Sequence, residues 1–139
     1  MTLDLTGLRK AIDTLRRSIN AATAVADIQN KDVVDAVRAG VIQGFEVAYE
    51  QCWKFIQRWI RENRTPEDAE FPRTRKELFR LAARYGLVAD PEPWFVYGDA
   101  RNLTSHTYNE EQAISVYKTA IDFLGDAEYL LRQLEAGND

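Results

Sequence analysis

The chain has 139 residues, 45% of them hydrophobic and 29% charged, which suits one soluble domain over residues 1–139 with a core that needs no staples. A net charge of −4 argues against a broad basic surface for duplex nucleic acid, so no DNA partner is expected. No apolar run approaches the roughly 20 residues that span a bilayer. The N-terminus lacks a basic-then-apolar leader, and a lone Cys52 fits a reducing cytoplasm.

Leu5, Leu8, Ile12, Leu15 and Ile19 recur at three- and four-residue steps, the stripe of a bundle helix that Thr6 or Asp4 caps and that fades near Ala26. A second, long helix is expected from Asp32 to about Asn63, through Val34, Val37, Val41, Phe45, Ala48, Cys52, Phe55 and Trp59. Gly40 and Gly44 lie one turn apart on it, either admitting a close neighbour or simply tolerated. Glu46, Glu50 and Lys54 also fall four apart. Two carboxylates at that spacing can hold a metal or form an acid/base pair. With no histidine on the helix and Lys54 one turn on, a solvated or interface face is preferred, and no metal is expected. The aromatics Phe45, Tyr49, Trp53, Phe55 and Trp59 exceed what one bundle core needs, which implies partial burial by a second subunit.

The stretch from Asn63 to Pro72 reads as a polar loop, kept out of any helix by Pro66 and Pro72. Thr74-Arg75-Lys76-Glu77 has the form of a capping box and opens a short helix through Leu78, Leu81, Ala82 and Tyr85, ended by Gly86. Arg73, Arg75, Lys76, Arg80 and Arg84 make this the most basic element, a solvated face unless it borders the histidine segment described below. Asp90-Pro91 opens the next helix, with Trp94, Tyr97 and Arg101 on one face. The last begins at Asn109, with Gln112 as reciprocal cap, and carries Ala113, Val116 or Tyr117, Ala120, Leu124, Ala127, Leu131 and Leu134. Three long helices and two short ones, without strand-like alternation, give an all-α fold: an up-and-down four-helix bundle with an additional short helix.

The only histidine, His106, lies in a polar interruption, Arg101-Asn102-Leu103-Thr104-Ser105-His106-Thr107-Tyr108. On a continuous helix Arg101 and His106 would stand about 140° apart. Thr104 to Thr107 are poor helix formers, so the helix is expected to end near Leu103, with His106 and Tyr108 on the connecting loop. The start of the last helix favours an anion, and Arg101 adds a guanidinium fork. A neutral imidazole beside a bound phosphate is equipment for metal-independent phosphodiester chemistry, with the 2′-OH of RNA as nucleophile. The alternative is a loop histidine that caps a helix or binds a carbonyl.

Arg101-Asn102-x-x-Ser105-His106-x-Tyr108 resembles the signature of the HepT-like branch of the HEPN superfamily, also known as nucleotidyltransferase substrate-binding proteins. Val41-Ile42-Gln43-x-Phe45-Glu46-x-x-Tyr49-Glu50-x-x-Trp53-Lys54 resembles that family's long second helix, and Trp94 shortly before the motif also fits. The resemblance covers most of the chain. It implies a homodimeric helical bundle acting as a ribonuclease toxin on RNA, neutralised by a minimal nucleotidyltransferase antitoxin that transfers AMP onto the motif tyrosine. Carried onto this chain, Arg101 and His106 would be catalytic, Tyr108 would be modified, and Asn102 and Ser105 would shape the site. Other family members are substrate-binding partners of the transferase, so an adaptor role is the alternative.

Overall fold

In a computed structural model, which describes residues 3–70, 72–105 and 109–137, the apolar stripes become helices and no described residue is in a strand. Helix α1 (Thr6–Ala24) buries Leu8, Ile12, Leu15 and Ile19, and Asp4 Oδ1 accepts from the Thr6 N–H at 3.0 Å. Helix α2 (Lys31–Asn63) opens at Asn30, whose Oδ1 accepts from the Asp32 and Val33 N–H groups at 3.1 and 3.3 Å. Its 33 residues reach about 50 Å at the rise of an α-helix. That length lets α2 touch every other helix.

The expected loop after α2 contains a short helix, α3 (Pro66–Glu70). Proline is accommodated in a first turn because its missing N–H has no partner there and its φ is already helical. Thr65 Oγ1 accepts from the Asp68 N–H at 3.0 Å and completes the start. Helix α4 (Arg75–Arg84) begins as read: Thr74 Oγ1 accepts from the Glu77 N–H at 3.2 Å. The return bond differs, since Glu77 takes the N–H of Arg73 at 2.9 Å instead of that of Thr74. Gly86 ends this helix at φ +77°, with Leu87 N–H on the Ala82 carbonyl and Gly86 N–H on that of Ala83. That left-handed stop strains any residue with a Cβ.

Helix α5 (Glu92–Leu103) follows Asp90, whose carboxylate accepts from the Glu92 N–H at 3.0 Å. Helix α6 (Glu110–Ala136) carries the reciprocal Asn109–Gln112 cap in full, at 2.8 and 3.1 Å. The buried apolar side chains of these helices form one continuous cluster. Phe123 is its hub, meeting Phe45, Trp94 and Tyr97 edge-on at ring distances of 5.1, 5.6 and 5.2 Å.

The aromatics of α2 are absorbed by this core. Phe45, Tyr49, Phe55 and Trp59 are all buried within the chain, and Trp53 is half-buried. Their number therefore gives no ground for a second subunit. The two glycines differ: a Cβ on Gly44 would lie 3.5 Å from Leu15 Cα, so α1 crosses closely there, whereas Gly40 faces open space. Among the described residues no helix is long and apolar enough to cross a membrane.

Candidate active site

Arg101 stands in the last turn of α5, where α5 passes the middle of α2. Its Nε is 3.2 Å from Glu50 Oε1 and its Nη1 is 3.9 Å from Glu46 Oε2. The four-residue spacing of the two glutamates puts both on the face of α2 that meets this arginine. Both are half-buried, and the Arg101 guanidinium is their counterion. Among the described residues no cluster of three or more His, Cys, Asp or Glu side chains could hold a metal.

The contact is ionic more than directional. Arg101 Nε is buried, and its N–H finds no hydrogen-bond acceptor among the described residues despite the nearby Glu50 oxygen. Nη1 donates instead to Thr104 Oγ1 and Ser105 Oγ, each at 3.1 Å. Thr104 in turn donates to the Arg101 carbonyl at 2.7 Å. The poor helix formers after Leu103 thus end α5 and supply hydroxyls that fix the guanidinium. With its side chain 23% exposed, Arg101 is shielded enough for charge to matter and open enough to meet a ligand.

Glu50 links this arginine to the basic helix. Its Oε1 also lies 3.5 Å from Arg75 Nη1, and its Oε2 accepts from the Trp53 indole N–H at 2.9 Å. The Arg75 guanidinium covers Trp53 at 4.3 Å and Tyr49 at 5.5 Å from the ring centres. Burial pushes the Tyr49 phenol up from its ordinary range, opposed by its hydrogen bond with Arg75. Helix α4 therefore borders Arg101 and is not only a solvated face. Glu46, Glu50, Arg75 and Trp53 gather around Arg101, a grouping that spacing alone does not give. The i,i+4 glutamates were the available signal, but their partner lies about 50 residues away on another helix.

Of the residues read from the motif, Arg101 and Ser105 are brought together by a hydrogen bond. Asn102 is exposed and lines a cleft between α2, α4 and α5. His106, Thr107 and Tyr108 lie outside the described residues, so the expectations placed on them are not tested by these contacts. Cys52 is fully buried, which pushes its thiol far above the ordinary range and leaves it no role as a nucleophile.

What the described part of the site offers is a held guanidinium with a second arginine nearby, an arrangement that can receive an anion. Comparisons with known proteins place the chain accordingly. Residues 3–136 match the family described as nucleotidyltransferase substrate binding protein like. A Haemophilus influenzae protein named probable ribonuclease HepT is 39% identical over 112 residues, which cover 81% of this chain and 77% of that protein. A solved Haemophilus influenzae structure, described as revealing the fold of a substrate binding domain of a nucleotidyltransferase, superposes with a TM-score of 0.82 at 33% identity. That match covers 95% of this chain and 99% of the other. The helical fold, the arginine motif and these matches agree, and the chain belongs to the HepT-like family of nucleotidyltransferase substrate-binding proteins.

Proposed function

We propose that this chain is a metal-independent endoribonuclease, the toxin of a two-component toxin–antitoxin module. The observation that carries the reading is Arg101, held by Glu50, Glu46, Thr104 and Ser105 at the end of α5. It stands in sequence directly before the segment that holds the only histidine. The relative named probable ribonuclease HepT supports the same activity.

In this mechanism His106 takes the proton from a ribose 2′-OH. The O2′–P bond forms and the P–O5′ bond breaks, with O5′ taking a proton from water, which leaves a 2′,3′-cyclic phosphate on one fragment and a 5′-hydroxyl on the other. Arg101 balances the charge that builds on the phosphorane-like transition state. Asn102 and Ser105 shape the site, and neither a metal nor another cofactor is required. The partner is a minimal nucleotidyltransferase that joins AMP from ATP to the Tyr108 hydroxyl and releases pyrophosphate. The added phosphate then competes with RNA for the same positive groups. The whole chain acts as one domain in a reducing cytoplasm, which the lone Cys52 fits, and as the homodimer that the family resemblance implies.

The test is cleavage of a mixed RNA pool by the purified protein in EDTA. Cyclic phosphate ends are expected, and Arg101→Ala or His106→Ala should each lower the rate at least about 100-fold with helical content unchanged. The solved relative described as a substrate binding domain favours a second reading, a non-catalytic adaptor of the transferase. Intact RNA after incubation with protein shown by mass to lack AMP on Tyr108 would favour the adaptor. Tyr108 should then still accept AMP from the partner enzyme.

A further inference from the structure

Beside Arg101 lies the cleft that Asn102 lines, about 390 Å³ in volume and bounded by α2, α4 and α5. Its size falls near the lower end of the roughly 300–1,000 Å³ of small-molecule sites. Its lining is unusual for the surface of an acidic bundle. Phe79 and Trp94 stack there at 4.9 Å with planes 25° apart, and both are buried. Phe95 is half-buried beside them, with Lys76 Nζ and Arg80 Cζ at 5.5 and 5.2 Å from its ring centre. Asp99 and Asn102, both exposed, add a carboxylate and an amide along the same wall of α5. The cleft owes its depth to Gly98: a Cβ there would come within 2.9 Å of the Tyr49 hydroxyl, so α5 could not settle so close to α2.

An aromatic face, cations around it, and hydrogen-bonding groups at its edge are what single-stranded RNA recognition uses. The base stacks, its edge is read, and the flanking phosphates meet the cations. Consecutive residues divide the work: Arg101 turns to the α2 carboxylates, and Asn102 lines the cleft. We infer that this cleft is a nucleobase subsite that receives the base next to the phosphate held at Arg101. Phe95 supplies the stacking face, and Asp99 and Asn102 read the base edge. A carboxylate only accepts hydrogen bonds, so a base whose amino group and ring N–H donate side by side to both of its oxygens is preferred to uracil, which offers it the single N3–H. This rests on the ribonuclease reading for the identity of the strand, and it adds a source of sequence preference that Arg101 cannot provide.

The experiment measures binding without cleavage. Fluorescent RNA oligonucleotides with 2′-fluoro sugars lack the nucleophile, and each is made abasic at one position in turn. For the wild-type chain, one abasic position should weaken binding by roughly 5- to 100-fold, the range that base stacking on an aromatic supplies. In Phe95→Leu the intact oligonucleotide should bind as weakly as the abasic one, so the penalty vanishes. Asp99→Asn, an exposed change that cannot unfold the bundle, should reduce the preference for a base with that paired donor edge over uracil. The inference is overturned if no abasic position matters, or if the penalty persists in Phe95→Leu. It is also overturned if free AMP binds through Phe95 while no abasic position matters, which would make the cleft an adenylate site. Cleavage of ordinary RNA in EDTA is followed alongside. A Phe95-dependent penalty without cleavage upholds the subsite and removes the nuclease; cleavage without any penalty does the reverse.

Discussion

Arg16 and Arg101 each face two carboxylates, and the contacts they make differ. Arg16 on α1 donates from Nε and Nη2 to Glu128 Oε2 at 3.1 and 2.6 Å, and from Nη1 to Asp13 at 3.0 Å. Every one of these is an aligned hydrogen bond, and the Glu128 contact raises the arginine's pKa further. Arg101 approaches Glu50 and Glu46 without aligned hydrogen bonds, and it is the less exposed of the two, at 23% against 39%. Arg16 ties α1 to α6 and has donors that are already satisfied. Arg101 has its charge balanced while its buried Nε N–H lacks an acceptor among the described residues. Arg101 thus keeps one N–H unpaired among the described residues and spends Nη1 on the Thr104 and Ser105 hydroxyls, where Arg16 spends its donors on carboxylates.

The sharpest way to break this contrast is at Glu50, which holds Arg101, Arg75 and Trp53 at once. Glu50→Gln keeps the shape and removes the charge, so the guanidinium loses its anchor. Because a displacement of about 1 Å at a reacting group costs on the order of 100-fold, cleavage should fall 10- to 100-fold. Circular dichroism should show helical content unchanged. Full activity in this variant would mean that the α2 carboxylates do not position Arg101, and the contrast with Arg16 would lose its functional meaning.

The legibility of the chain follows a similar division. Local signals were read well: the stripe of Leu8, Ile12 and Leu15, the Thr74 cap, the Gly86 stop and the Asn109–Gln112 box all depend on residues within a few positions of one another. Helix α3 escapes a local reading because Pro66, a breaker inside a helix, serves here as a first-turn residue. The aromatic surplus of α2 misled for a different reason. A helix that touches five others has several neighbours to pack against, and sequence periodicity does not count neighbours. Arg101 stands out in sequence by its motif, whereas Glu46, Glu50 and Arg75 come near it only through the crossing of α2, α4 and α5.

Helix α5 carries the same contrast within one element. One turn before Arg101, Tyr97 is buried and donates to the Asp126 carboxylate and, at 3.4 Å, to the Asp122 carbonyl. Burial and the Asp126 hydrogen bond push its phenol far above the ordinary range of a tyrosine. The folded chain therefore keeps this proton after the unfolded chain has lost it. Stability from this group is fully present below about pH 10 and declines as pH rises beyond that. Tyr97→Phe should cost about 1.5–3 kcal/mol at neutral pH in urea unfolding, the range for a hydrogen bond to a charged group. It should also flatten the loss of stability above pH 10, and leave RNA cleavage unchanged. A tenfold fall in cleavage at full stability would place Tyr97 on the functional side of α5.

The smallest effect belongs to Arg16. Its bonds are well formed, but the side chain is 39% exposed and Glu128 is 31% exposed, so water already solvates both ends. A partly exposed pair contributes little because desolvation and side-chain ordering offset most of its attraction. Arg16→Ala should therefore cost no more than about 1 kcal/mol in urea unfolding. The difference should shrink in 1 M salt, where the screening length is about 3 Å. Cleavage by Arg16→Ala should match the wild-type rate, since α1 contributes no side chain to the Arg101 cluster. A larger loss of stability would show that the α1–α6 bridge matters more than its exposure implies. A slower cleavage would show that well-satisfied hydrogen bonds do not separate a structural arginine from a functional one.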